Sequence, residues 1–524
     1  MLYSKAHNVV VYDTPTPERI AHVIPTSRVV DASRVAVPCN LQEMRTMRLM
    51  GFPALSPILH GYDWPGRHVP YDHQKQMSAF LTLHPKAFNL SGIGTGKTLG
   101  TLWAADYLMK QGAVRKALII SPLSTLSCVW QDEIFQNFLG HRSSIIVYGA
   151  REKRLQLMRS QADFYIINHD GLGIGSESNG GSFVLGRLAQ DVSNRDDIDL
   201  VIVDEGSVYK DSGTSRYKVL KKTIANKPHI WWLTGTPTPN APTDAWSQAR
   251  LINKDFSESF NSFRERTMYR RSMFRWEKKG DAEKITANAL QPAIVFRRED
   301  CLQLPPCQYV LRDVELTASQ KAAHKAMVTK LSTMVGEGTI NAVNEAVLRM
   351  KMLQISLGAV YDSEHEAHAV DCAPRLAVMR EVVEQAGGKI IIFAPLTSVV
   401  DLLYSELHRD FSTEKVNGST SSSRRSDIFR MFQDSEDPQI IVADPQTMAH
   451  GITLTRAATI LWYGPTDKPE VYTQANGRIN RPGQKNSMLV VQLAATQLER
   501  EIFKRLDNKQ TMQGVVLSLV RTGE

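Results

Sequence analysis

Short, mostly apolar runs recur along this chain, and they restrict its fold more than any other feature. Residues 87–90, 117–120, 145–147, 164–167, 200–203 and 230–233 form one series; 389–393, 439–442, 459–462 and 488–491 form a second. A strand with one wet face alternates apolar and polar residues, whereas a continuous run fits a strand covered on both faces, as in a parallel sheet between helices. Helical patterns separate the runs, as over 99–109 after the first strand. Each series therefore predicts an α/β domain, and 524 residues suffice for two cores. The first domain is expected over 67–308, with a helical insertion at about 250–300, and the second over 309–524, opening with a helical segment. Leu304-Pro305-Pro306 interrupts the charged, mostly helical stretch between them and reads as the joint. Residues 1–66 form a small N-terminal arm, with short alternating segments around 20–24 and 29–37 and a helix near 41–50. Asn179-Gly180-Gly181 and 418–423 read as surface loops.

In open parallel sheets ligands bind beyond the carboxyl ends of the strands, and the polar clusters of this chain fall there. After the first run comes Ser91-Gly92-Ile93-Gly94-Thr95-Gly96-Lys97-Thr98, a glycine-rich turn handing over to a helix. Such a turn aims backbone N–H groups and a helix N-terminus at phosphate; Lys97 would reach the β/γ-phosphates and the Thr98 hydroxyl would help hold Mg²⁺. Ser91 stands where the strict pattern has glycine. Beyond 200–203 come Asp204 and Glu205, suited to holding the nucleotide's Mg²⁺ and to orienting or deprotonating a water. Two acids capping a helix start is the plainer reading, and the Lys97 loop upstream weighs against it. Thr234-Gly235-Thr236-Pro237 follows 230–233, and Tyr71-Asp72-His73-Gln74 places an amide at Gln74 that can read an adenine edge. In the second domain, Gln474-Ala475-Asn476-Gly477-Arg478-Ile479-Asn480-Arg481-Pro482-Gly483-Gln484 carries two arginines three apart, expected on one helical face and able to meet a phosphate.

The net charge of +8 is unevenly spread. Residues 264–298 hold ten Lys or Arg against four acids, interleaved with Tyr269, Phe274 and Trp276. Arg270, Arg271 and Arg275 are candidate nucleic-acid contacts there; a solvated helical face is an equally good reading. No apolar run reaches the roughly 18 residues of a membrane span, and the N-terminus lacks the pattern of a secretion signal. Cys39, Cys128, Cys301, Cys307 and Cys372 are scattered without metal spacing, as expected of reduced thiols in a cytoplasmic protein.

Taken in order, these segments resemble the motifs of superfamily 2 helicases, and more narrowly the sucrose-nonfermenting (Snf-type) remodeller and translocase group. The resemblance runs from about residue 71 to 484. Gln74 matches the adenine-reading motif, 91–98 the Walker A loop, Ser121-Pro122 the first DNA-contacting motif, and Asp204-Glu205 the Walker B pair. Leu233 to Pro237 with Asn240, Arg297-Arg298 ahead of Leu304-Pro305, Gly418-Ser419-Thr420 with Arg424 and Phe432, His450-Gly451-Ile452-Thr453-Leu454, and 474–484 continue the set. The last motif is the most group-specific. The chain departs from the pattern at Gly206-Ser207, where Ala-His is usual, at Thr453 for Asn and at Pro482 for an aliphatic residue. Ser207 thus replaces an imidazole that links nucleotide to the second lobe.

The resemblance implies two tandem RecA-like lobes with ATP and Mg²⁺ between them. Gln74, Gly92, Gly94, Thr95, Gly96, Lys97, Thr98, Gly451 and Gln474 would bind the nucleotide, and Thr98 and Asp204 the metal. Lys97, Glu205, Arg478 and Arg481 would be catalytic. The activity implied is ATP-driven movement on double-stranded or branched DNA, in replication, repair or recombination, by a monomer in a bacterial or phage-infected cell. A strand-separating helicase and a non-catalytic, nucleotide-gated scaffold are the alternatives.

Overall fold

The computed structural model describes residues 1–179, 182–272, 276–301, 304–336, 342–361, 366–448 and 453–508. These fall into two compact units, one running from Met1 to Cys301 and the other over 304–508.

The first unit is built on a seven-stranded sheet. Its order is Ala293–Ile294, Lys86–Asn89, His229–Leu233, Ile198–Val203, Lys116–Ser121, Phe164–Asn168, Ser144–Ile146, and every pairing is parallel. Consecutive residues of one strand point to opposite faces. Phe88, Leu118, Ile120, Tyr165, Val201 and Trp232 enter one core, while Ala87, Ile119, Ile166, Ile202 and Trp231 enter the other. Helices cover both sides, which is why the runs are apolar at every position.

The second unit repeats the plan with six parallel strands: Cys307–Asp313, Met488–Ala494, Ala457–Trp462, Lys389–Phe393, Ile440–Ala443, Thr413–Val416. Again Ile391, Phe393, Ile441 and Trp462 face one core, and Ile390, Ile392, Val442 and Leu461 the other. Two tandem α/β domains are thus present, as the apolar runs imply. The stretch expected to be helical between the two series includes strand pairs as well: Met268–Arg270 pairs with Trp276–Lys278, and Ala359–Tyr361 with Ala367–Ala369.

The first residues form an antiparallel sheet, ordered Leu2–Ser4, Val9–Asp13, Arg34–Pro38, Arg28–Asp31. Val10, Tyr12, Val35 and Val37 alternate into a small core of their own with Met44 and Met47 of the helix Leu41–Leu49. Residues 20–24, read as alternating, lie mostly in the helix Pro17–Val23, where Ile20 and Ile24 sit one turn apart on the buried side.

His229 ties this arm to the first sheet, and together with the buried His84 it should make stability pH-dependent. Arg45 donates from Nε to the Thr82 carbonyl at 2.9 Å and meets His229 Nε2 at 3.2 Å. Burial, then the Arg45 cation, pushes the His229 pKa down to about 4, and burial pushes His84 down to about 4. Each therefore takes up a proton near pH 6.5 unfolded but only near pH 4 folded, so stability is lost as pH falls through that window. The full shift amounts to about 3 kcal/mol per group. Denaturant midpoints should drop between about pH 7 and pH 4.5, and His229→Gln should flatten the drop. Equal pH dependence in wild type and variant would contradict this.

Candidate functional site

The loop after Lys86–Asn89 makes a tight turn because two glycines adopt conformations costly to other residues: Gly94 has φ 82° and Gly96 φ 74°. Gly96 caps the helix Lys97–Lys110, and a Cβ there would lie 2.0 Å from Gln74 Nε2. Gln74 is thereby seated against the loop, with its Oε1 accepting the Tyr71 N–H at 3.0 Å. His73 Nε2 lies 2.9 Å from the Thr95 carbonyl, and Thr95 Oγ1 donates to the Gly92 carbonyl at 2.8 Å. Lys97 Nζ donates to the carbonyls of Ser91 (2.8 Å) and Gly92 (3.0 Å). Thr98 is the second residue of the helix, on its phosphate-binding end.

Two strands over, Asp204 and Glu205 leave the carboxyl end of Ile198–Val203. Asp204 Oδ2 accepts the Trp130 indole N–H at 2.9 Å, and Oδ1 accepts the Glu205 N–H at 3.0 Å. Burial, and then the adjacent Glu205 charge, raise the Asp204 pKa; the Trp130 hydrogen bond and the Lys97 cation pull it back. Glu205 occupies the left-handed region at φ 48°, a conformation that costs a non-glycine residue of order 1 kcal/mol and persists where surroundings impose it. Thr234 Oγ1 accepts the Thr236 N–H at 3.1 Å, and Thr236 Oγ1 is buried without a hydrogen-bond partner among the described residues. A Cβ at Gly235 would sit 3.5 Å from the Ser91 carbonyl, so this turn abuts the loop.

The donor set fits a magnesium-bound triphosphate. It offers an ammonium, a helix N-terminus, the Thr98 hydroxyl and a carboxylate whose charge is disfavoured until a cation sits beside it. Gly451, the remaining nucleotide-loop candidate, and His450 with it, lie outside the described residues, as do Gly180 and Gly181.

Two departures from the motif pattern have local physical reasons. Ser91 is buried, and its Oγ accepts the Phe296 N–H at 3.2 Å while Gly92 N–H donates to the Phe296 carbonyl at 2.8 Å. A serine there fastens the loop to the edge segment leading to Arg297. At Gly206 a Cβ would lie 2.0 Å from Trp232 Nε1, whose N–H donates to Gln248 Oε1 at 2.9 Å. The indole thus fills the space an alanine would use. Gly206→Ala should destabilise the protein by about 3 kcal/mol through overpacking, with Trp232→Phe recovering part of it. An unchanged unfolding midpoint in Gly206→Ala would refute this packing argument.

In the second unit the expected helical face for the two arginines is not formed. The helix Pro469–Asn476 ends before both, and Gly477 to Gln484 run in turns that Pro482 and Gly483 (φ 96°) prevent from continuing as helix. Gln474, on that helix, is buried, and Arg478 is 1% exposed. Arg481 is half-buried, with Nε donating to the Gly477 carbonyl and a terminal nitrogen to Thr453 Oγ1, both at 3.1 Å. Thr453 thereby supplies an acceptor where the family has an amide. Gln484 is an anchor, donating from Nε2 to the Ala457 carbonyl at 2.8 Å.

The nucleic-acid candidates lie on the first unit. Ser121 and Pro122 end the strand Lys116–Ser121 but are buried, with Ser121 Oγ 2.6 Å from Thr125 Oγ1; Leu123 and Ser124 are the exposed residues beside them. Arg270 ends the strand Met268–Arg270 and Arg271 follows it; both are exposed, and Arg271 is bonded to Glu277 at 2.6 Å. Arg275 and Phe274 lie outside the described residues. Two of the cations of this stretch are paired with its own acids, since Lys278 also pairs with Glu283 at 2.6 Å; Glu277 further accepts from Tyr269 at 2.7 Å. Trp130, His73 and Trp232, which shape the site, carry no motif signal and act through distant partners.

The SNF2-related domain family matches residues 88–365, and the helicase conserved C-terminal domain matches 374–483. The chain is similar to protein p41 of Acyrthosiphon pisum secondary endosymbiont phage 1, 24% identical over 82% of this chain and 94% of that one. It is also similar to the ATP-dependent DNA helicase DDM1 of Arabidopsis thaliana, 23% identical over 81% of this chain; here the chain spans only 58% of its relative's length. Among solved structures, the Sulfolobus solfataricus SWI2/SNF2 ATPase core in complex with dsDNA is similar, with 20% identity, a TM-score of 0.41, and coverage of 87% of this chain and 94% of that one.

Proposed function

We propose, from the premise that this chain belongs to the SNF2-related family, that it is a translocase coupling ATP hydrolysis to movement along double-stranded DNA. Membership makes it a helicase-type, DNA-dependent ATPase. The observation that carries it is the gathering of Lys97, Asp204 and Glu205 at the carboxyl ends of one parallel sheet, with Gln74 against the same loop. Thr98 and Asp204 would hold Mg²⁺, Lys97 would neutralise the phosphates, and Glu205 would take a proton from the attacking water. Arg478 and Arg481 would complete the site from the second lobe.

We place this work in replication, repair or recombination, carried out by a monomer in the cytoplasm of a bacterial or phage-infected cell; similarity to a phage protein supports the bacterial setting alone. Phosphate release measured with and without duplex DNA tests the reading. Turnover should rise with duplex, no annealed strand should be released, and Lys97→Ala should reduce turnover to background. Release of an annealed strand would favour a strand-separating helicase, and absent turnover a scaffold.

A further inference from the structure

On the first unit, a cavity of about 480 Å³ opens at the end of the sheet opposite the glycine-rich loop. Lys86 begins the strand whose far end leads into that loop, and Ile230 is the second residue of the neighbouring strand. Four strand residues, roughly 13 Å, separate the two ends. The cavity is lined by Lys86, Lys218, Lys221, Lys222, Arg250 and Phe183, and no acidic residue lines it.

The cations are not structural ion pairs. None of the five bonds to a carboxylate among the described residues. Lys222 donates to the Phe183 carbonyl, and the Lys218 and Lys222 ammonium groups lie 5.8 and 5.9 Å from the Phe183 ring. Arg250 lies over the Trp246 ring. Burial and the nearby Lys254 lower the Lys86 pKa. Like charges held together without a counter-charge repel one another, and a polyanion entering the cavity relieves that repulsion.

The floor narrows the class of ligand. Ile224, Ile230 and Leu251 give an apolar base beside the aromatic ring. A duplex presents only phosphates to such a hollow, because its bases are stacked and paired. A single strand can place one unstacked base on the ring while the lysines hold the flanking phosphates.

We infer that this basic cavity, formed by Phe183 with Lys218, Lys221 and Lys222, is an accessory site for single-stranded nucleic acid, separate from the nucleotide site. This cavity stands apart from the nucleotide site, and oligonucleotide binding to it needs no ATP. Binding of a fluorescent oligothymidylate of about 12 nucleotides to the full chain, without nucleotide, tests it. Phe183→Leu should weaken binding about tenfold, while Phe183→Trp should retain it. In Lys218→Gln/Lys221→Gln the slope of log affinity against log salt should become shallower by roughly 1.4, for two lost phosphate contacts. Duplex-stimulated ATPase should be unchanged in all three variants.

Wild-type affinity in Phe183→Leu, in protein of unchanged thermal midpoint, would overturn base stacking and with it the inference. So would equal losses of duplex and single-strand binding in the lysine variant, which would make the cavity a general polyanion patch. Displacement of the oligonucleotide by polyglutamate as readily as by unlabelled oligothymidylate would assign the cavity to an acidic protein segment instead.

Discussion

Replacing Glu205 by Gln is expected to lower ATP turnover by about 10³-fold while ATP binding survives. Glutamine keeps the size of the side chain and the same left-handed backbone, so φ 48° costs both residues alike and stability should hardly change. What disappears is one negative charge. That charge is among the causes raising the Asp204 pKa, so removing it makes the metal-side carboxylate easier to ionise, and binding of the magnesium nucleotide should not suffer. Loss of turnover with retained binding would therefore report proton removal from water. Glu205→Gly separates strain from chemistry: glycine accepts the left-handed conformation, and the variant should be about 1 kcal/mol more stable yet inactive. Fluorescent-nucleotide binding beside phosphate release gives both readings. Turnover of Glu205→Gln within tenfold of wild type would remove Glu205 from the reaction.

Legibility in the sequence followed burial. Residues 390–393 and 230–233 are buried at every position, and an unbroken apolar run reports such a strand directly. The edge strand Cys307–Asp313 has exposed Tyr309, Val310 and Leu311, and Thr413–Val416 is polar at three of its four positions, so neither shows that pattern. The two-residue strand Ala293–Ile294 is too short for any periodicity. Motif residues that act through the backbone, such as Gly94 and Gly96, were readable because the turn demands glycine there. The Gly206 departure was not, because its cause is an indole brought alongside by the sheet. The arginine pair was expected on a helix because a spacing of three does not show that the helix stops at Asn476, ahead of both.

Arg481→Ala is expected to bind ATP normally and hydrolyse it about 10³-fold more slowly. Its guanidinium is oriented by the Gly477 carbonyl and by the Thr453 hydroxyl. Arg478 discriminates less well, since its 1% exposure means that truncation also removes buried packing. If Arg481 serves transferring-phosphoryl charge, Lys should restore little, because it lacks the planar fork. Thr453→Val should cost only about fivefold, the worth of one orienting hydrogen bond. That gradation, with Ala and Lys severe and Thr453→Val mild, is what an arginine positioned for chemistry produces. Near-native turnover in Arg481→Ala would leave the first lobe hydrolysing by itself, and a motor whose second lobe takes no part in cleavage has no means of turning it into movement.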